Sequence, residues 1–194
     1  MRLFVCAPLD ESNQAFYGDR MTRLIEKHAH LLRPIPPGSA HITFTFMNAV
    51  PDDDLARISV ACGKATSNIS SFESVLGTPF VLYGSSEARL VCAPVTRGTT
   101  ELSALEARLG TALTQLYSRD RVRRAKSFHV TLARFRKTVQ RNAARPVDAE
   151  LRAASLQAWA REQLIDRIEI VSSELRPSGP VYTTRHAIPL PAMG

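Results

Sequence analysis

Two short stretches decide the fold: His41-Ile42-Thr43-Phe44-Thr45-Phe46 and Phe128-His129-Val130-Thr131-Leu132-Ala133-Arg134. Each sets a histidine, and a threonine two residues on, into an alternating apolar run that reads as a strand, and in a strand alternate side chains share a face. His41, Thr43 and Thr45 then point one way while Ile42, Phe44 and Phe46 point the other. In the second run His129 and Thr131 oppose Phe128, Val130 and Leu132. Each strand has an apolar side for a core and a small polar side carrying an imidazole, with a hydroxyl about 6.6 Å further along. Strict alternation puts Arg134 with Val130 and Leu132, so it joins the His129 face only if the strand is bulged or twisted.

The two stretches belong to a larger repeat. Val5-Cys6-Ala7-Pro8 returns as Val91-Cys92-Ala93-Pro94 at an offset of 86, and the two histidines are offset by 88 in the same order. Between them, helical spacing runs through Met21, Leu24, His28 and Leu31 or Leu32 over 11–32, and through Leu102, Leu105, Leu109, Leu113 and Leu116 over 100–118, with Thr99 or Thr100 as its N-cap. A further helix follows each histidine strand, one capped by Asp52–Asp54 and carrying Leu55 and Ile58, the other opened by Asp148 and carrying Leu151 and Trp159. Strands return near 79–83, 88–95, 166–175 and 181–189. The segments Arg33–Gly38 and Arg176–Pro180 read as connections because of their prolines. These patterns predict a single bilobal α+β domain over 1–194. It would hold two pseudo-twofold-related halves, about 1–85 and 86–194, of antiparallel-type sheet with helices outside and a central cleft. Such a layout leaves room for strands to be exchanged between the lobes.

Composition narrows the function classes. The chain has 194 residues, a formal charge of +7, 44% hydrophobic residues and three cysteines. That fits one globular domain and excludes collagen and a disulfide-stapled miniprotein. No apolar run is long enough to span a bilayer, and Cys6, Cys62 and Cys92 lie in apolar stretches without CxxC spacing, as suits buried thiols in a reducing compartment. The expectation is a cytoplasmic protein with no obligate protein partner. The charge is local: Arg119, Arg121, Arg123, Arg124, Lys126, Arg134, Arg136, Lys137, Arg141 and Arg145 face only Asp120 over 119–145, so the remainder of the chain is slightly acidic. A cluster of that density marks a polyanion binder or a solvated loop, and its position astride the second histidine strand favours the former.

Two imidazoles and two hydroxyls in one cleft suit phosphodiester cleavage without a metal. Imidazole titrates near pH 6.5, so one ring can accept a proton while the other donates one, and threonine hydroxyls can donate to non-bridging phosphoryl oxygens. A lone strand histidine is more often structural, but recurrence at the same point of a repeat weighs against that here. Neither strand carries an acid or a thiol beside its histidine, which disfavours a metal site, and G-x-S-x-G is absent. His28 reads as core and His30 as solvated. His186 lies in a terminal strand.

On these motifs, with the opening Arg2-Leu3-Phe4-Val5 and the closing Ser173–Tyr182, the chain resembles the two-histidine phosphoesterases, and among them the RNA 2′,3′-cyclic phosphodiesterases also called 2′-5′ RNA ligases. It departs from their pattern at Phe44, Met47-Asn48 and Phe128, on the packing or loop side of the motifs. The resemblance implies His41 and His129 as catalytic residues, Thr43, Thr131 and Arg134 as phosphate-binding, and no cofactor. It also implies hydrolysis of a 2′,3′-cyclic phosphate at an RNA end to a 2′-phosphate, together with reversible 2′-5′ RNA ligation. It places His41 as acid to the leaving 3′ oxygen and His129 as base for water. Arg121, Arg123, Arg124, Lys126 and Arg136 are candidates for holding RNA. The same chemistry on a small cyclic phosphate or a 2′-5′ oligonucleotide, and a non-catalytic RNA-binding module, are the competing expectations.

Overall fold

Alternation and helical periodicity in this chain resolve into four helices and eleven strands in the computed structural model, which describes residues 1–153, 158–176 and 179–192, without the side chains of Lys137 and Thr138. In order these are β1 (Leu3–Pro8), α1 (Glu11–Lys27), β2 (Leu32–Pro34), β3 (His41–Met47), α2 (Leu55–Thr66), β4 (Phe72–Leu76) and β5 (Phe80–Tyr83). There follow β6 (Glu87–Arg97), α3 (Thr99–Leu116), β7 (Val122–Arg124), β8 (His129–Gln140), α4 (Arg141–Ala153), β9 (Arg161–Ile165), β10 (Arg167–Arg176) and β11 (Gly179–Pro189). The sheet runs β11-β10-β1-β3-β8-β6-β4-β9, with β2 on β8, β5 on β6 and β7 on β3. Every pairing is antiparallel. The architecture is a curled antiparallel α+β sheet whose helices lie on one side, α3 behind β3 and β7, α1 and α4 behind β8.

The histidine strands β3 and β8 meet at the centre of that sheet. The strands that flank β1 on its far side, β10 and β11, come from the end of the chain, whereas β4 and β5, which flank β6, come from its first half. Ile42, Phe44, Val130 and Leu132, none more than 3% exposed, join Val5, Ala7, Val91 and Ala93 in the main core. Burying each of the larger side chains contributes about 1.5–3 kcal/mol. A second, small cluster of Phe4, Cys6 and Val171, with Phe46 and Tyr182 against it, sits on the opposite face of the sheet. Cys6, Cys62 and Cys92 are free and buried, and burial pushes the thiols of Cys62 and Cys92 up to about 12. Among the described residues no helix is long and apolar enough to cross a membrane.

Several elements differ from the sequence reading. Helix α1 stops at Lys27, with His28 as its C-cap, and Leu32 belongs to a strand instead. Gly98, not a threonine, caps α3, with φ of 83°, a conformation that a side chain would strain. Asp52–Asp54 form a 3-10 turn with no side-chain cap; the Asp54 carboxylate instead accepts from Tyr117 and Arg57. Helix α4 begins at Arg141, well before Asp148, and Trp159 lies outside it in a turn; residues 154–157 are outside the described set. The segment 33–38 contains part of β2, and strands run to Arg176 and from Gly179, while Pro177 and Ser178 are outside the described residues. Strands β2, β4, β7 and β9 carry no clear signal in the sequence. Two have only three residues, too few to show a period, and the other two mix charge with apolar positions.

Candidate active site

The site is built by two matching irregularities. Along β1 and β3, Val5 pairs with Thr45 but Cys6 pairs with Thr43, so Phe44 is an extra residue and the strand is bulged there. Along β6 and β8, Val91 pairs with Ala133 but Cys92 pairs with Thr131, so Leu132 is bulged in the same way. A bulge reverses the parity of everything beyond it. Thr45 therefore turns into the core, fully buried, its hydroxyl without a hydrogen-bond partner among the described residues, and Phe46 turns to the histidine face, both opposite to strict alternation. In β8 the same reversal carries Arg134 onto the face of His129 and Thr131, the one condition on which the sequence allowed it.

β3 and β8 pair at Ile42 and Val130. Continuing that antiparallel register by one residue each way sets His41 beside Thr131 and Thr43 beside His129, neighbours whose Cβ atoms lie about 4.5–5.5 Å apart in such a ladder. All four side chains are partly exposed, on the face away from the helices. Each imidazole is held from behind. His41 Nδ1 donates to the Ser39 carbonyl at 2.6 Å, and His129 is hydrogen-bonded to the Ser127 backbone with the Ser127 hydroxyl 3.5 Å from its Nδ1. Ser39 and Ser127 are themselves related by the offset of 88. The carbonyl bond places the His41 proton on Nδ1 and leaves Nε2 for chemistry. Sequence reasoning did not single out these serines, although Ser-x-His-x-Thr recurs in both stretches.

Beyond the central four, the same face continues in both directions. Above Thr43 and His129, β7 pairs Arg123 with Phe46; below His41 and Thr131, β2 pairs Arg33 with Arg134. Arg33 opens a segment whose prolines read as a connection, and it is the site-facing residue the sequence concealed most completely. Arg123 lies 5.0 Å over the Phe46 ring, while Arg124, next in β7, faces the helices and is hydrogen-bonded to the buried Glu106 through both its Nε and Nη2. Arg136 is tied to the carbonyls of Ala29 and Leu32 through Nε. Arg121 and Lys126 lie outside the central patch, Arg121 exposed and Lys126 at the surface, and the side chain of Lys137 is outside the described set. His28 is buried and bonded to Glu150 at 3.1 Å, away from the site.

The surroundings of the two rings differ. His41 stacks on Phe4 at 4.7 Å between centroids and meets Tyr182 edge-on at 5.8 Å, beside a cavity of about 270 Å³ whose walls include Phe4, Glu169, Tyr182 and Thr184. Its pKa is lowered, mainly by burial, against the Ser39 hydrogen bond; the Arg134 and His129 charges lower it further and Glu169 raises it. His129 is also lowered, by burial against the Ser127 bond. Both rings are thus disposed to be neutral near pH 7, and each can take up a proton where a phosphate anion lies beside it. Among the described residues no three His, Cys, Asp or Glu side chains gather as a metal-ligand set.

The same fold is found in solved structures along the whole chain. TT0787 of Thermus thermophilus superposes with a TM-score of 0.77 at 20% identity, covering 100% of both chains. E. coli LigT in apo form matches with a TM-score of 0.70 at 17% identity over 98% of this chain and 97% of that one. The PDE domain of MHV ns2 matches at 0.55 and 13% identity over 95% and 99%. No protein-family model matches the chain, and no curated protein matches it significantly. The fold is that of TT0787 and of E. coli LigT.

Proposed function

We propose that this protein is a phosphodiesterase that hydrolyses the 2′,3′-cyclic phosphate of an RNA end to a 2′-phosphate, and that 2′-5′ ligation is the same opening of the P–O3′ bond with an RNA 5′-hydroxyl in place of water. The observation that carries this reading is the Ile42–Val130 pairing, which gathers two histidines and two threonines into one patch. In the forward direction one imidazole accepts a proton from water through Nε2 as the water oxygen attacks phosphorus. The P–O3′ bond breaks, and the other ring, as imidazolium, gives its proton to O3′. Thr43 and Thr131 donate to the non-bridging oxygens, whose charge grows in the transition state, and Arg134, further along the same face, binds a phosphate of the substrate. Following the resemblance, His41 is the proton donor and His129 the base. That E. coli LigT has been crystallised with 3′-AMP and with phosphate supports a nucleotide ligand.

One observation favours a shorter substrate, a small cyclic phosphate or a 2′-5′ oligonucleotide: Arg124 and Arg136 are engaged by the protein itself, which reduces the cationic surface left for a long RNA. The deciding experiment follows 2′,3′-cyclic AMP and an RNA oligomer with a cyclic end by phosphorus NMR, with and without EDTA. Formation of the 2′-phosphate undiminished by chelation is expected. Activity lost on chelation and restored by Mn²⁺ or Zn²⁺ would overturn the mechanism, and no turnover of either substrate would return the protein to the class of RNA-binding modules.

A further inference from the structure

Arg33 and Arg134 stand directly opposite each other on neighbouring strands, on the histidine face. Like charges so placed repel and destabilise a sheet unless something of opposite sign lies between them. Among the described residues neither has an acidic partner, and the Nε of Arg33 is buried with no hydrogen-bond partner at all. The guanidinium reaches across the groove: its Nη1 lies 3.9 Å from where a side chain on Gly179, in the β10–β11 hairpin, would begin. The matching position on the other side of the centre is satisfied, because there Arg123 faces the Phe46 ring in place of a second cation. One end of the groove is therefore closed on itself, and the other presents two guanidiniums that lack an anion.

We propose that Arg33 and Arg134 form a second anion subsite, which takes the 5′-phosphate of the nucleoside whose cyclic phosphate lies between His41 and His129. This rests on the phosphodiesterase reading above. Across the bulge, Arg134 is the next site-facing position after Thr131, about 6.6 Å along the strand, a spacing suited to the neighbouring phosphate of the same nucleotide. Guanidinium forks grip phosphate oxygens two at a time. The arrangement selects an RNA end that continues through a 5′-phosphate over a free cyclic nucleoside monophosphate.

The test compares adenosine 2′,3′-cyclic phosphate with the same nucleotide carrying a 5′-phosphate. The native protein is expected to prefer the 5′-phosphorylated form by about tenfold or more in kcat/KM, expressed in KM, the scale of one charge-assisted hydrogen bond. Arg33→Gln should collapse that preference, and Arg33→Lys should retain part of it. Calorimetric titration of both nucleotides reads the subsite without turnover, so absence of hydrolysis would sink the phosphodiesterase reading while leaving this one to be judged by affinity. Equal affinity of the native protein for the two nucleotides, or a preference that survives in Arg33→Gln, would overturn the proposal. If Arg33→Gln fails to fold, the native comparison and Arg33→Lys still decide it.

Discussion

The β3 half and the β8 half of the site are the same device with different surroundings. Each has a serine two residues before its histidine, a threonine two residues after it, and a bulge at the next position, Phe44 in one and Leu132 in the other. The next site-facing position then differs in kind: Phe46 in β3, packed with Phe4, and Arg134 in β8, opposite Arg33. The neighbours in the preceding strands follow suit, with Phe4 stacked on His41 where the repeat places Leu90, which pairs with Arg134. A nearly symmetric pair of proton carriers thus sits in a groove with an aromatic end and a cationic end. On the proposed function, what is shared between the halves would serve the chemistry at phosphorus, and what differs would orient the substrate.

The comparison can be broken first at the centre. His41→Ala and His129→Ala are each expected to lower kcat by on the order of 10²–10⁴, with the double variant losing less than the product of the two because the rings act as a unit. His28→Ala, bonded to Glu150 far from the groove, should affect stability and spare the chemistry of folded protein. A folded His28→Ala as inactive as the strand variants would refute the assignment. Thr43→Ala and Thr131→Ala should cost less, about 10- to 100-fold in kcat, since each removes one neutral donor and leaves the other in place. If the halves are functionally equivalent the two losses match; a large inequality would locate the developing charge nearer one threonine.

The adjacent arginines of β7 sharpen the distinction between groove and scaffold. Arg123→Ser should raise KM for an RNA oligomer and flatten its salt dependence, by a log–log slope of roughly 0.7 for one lost phosphate contact. Arg124→Ser should instead leave Glu106 buried without its partner, lowering stability by about 1–3 kcal/mol with the salt slope intact. Denaturant unfolding alongside KM measured at several salt concentrations separates these outcomes, and an exchange of the two phenotypes would contradict the facing of β7.

The smallest effect concerns proton roles. Glu169 raises the pKa of His41 and acts on that ring alone of the two, so Glu169→Gln should lower it further by withdrawing a charge that favours imidazolium. If His41 is the proton donor, the alkaline limb of the kcat/KM profile moves to lower pH while the acidic limb stays. Movement of the acidic limb instead would make His41 the base. Both limbs belong to a coupled pair, so the shift is read on the profile as a whole.

The repeated His-x-Thr, the doubled Val-Cys-Ala-Pro and the alternation of apolar residues were legible in the chain because strand faces and core residues follow from local spacing. From these alone came the α+β class, the expectation of chemistry at His41, Thr43, His129 and Thr131, and the reading of His28 as core. The facing of Arg134, Phe46 and Thr45 was not local. It depends on a bulge, and a bulge exists only relative to the partner strand, so no window within β3 or β8 reveals it. Arg33 was hidden for a related reason: Leu32–Pro34 is too short and proline-bound to show a period, and it becomes a strand because β8 supplies its hydrogen bonds. The basic cluster shows the same division. Its charge is a property of the sequence, whereas packing decided which arginines face the groove and which are spent on Glu106 or on carbonyls, because side chains adjacent in a strand must point to opposite sides of the sheet.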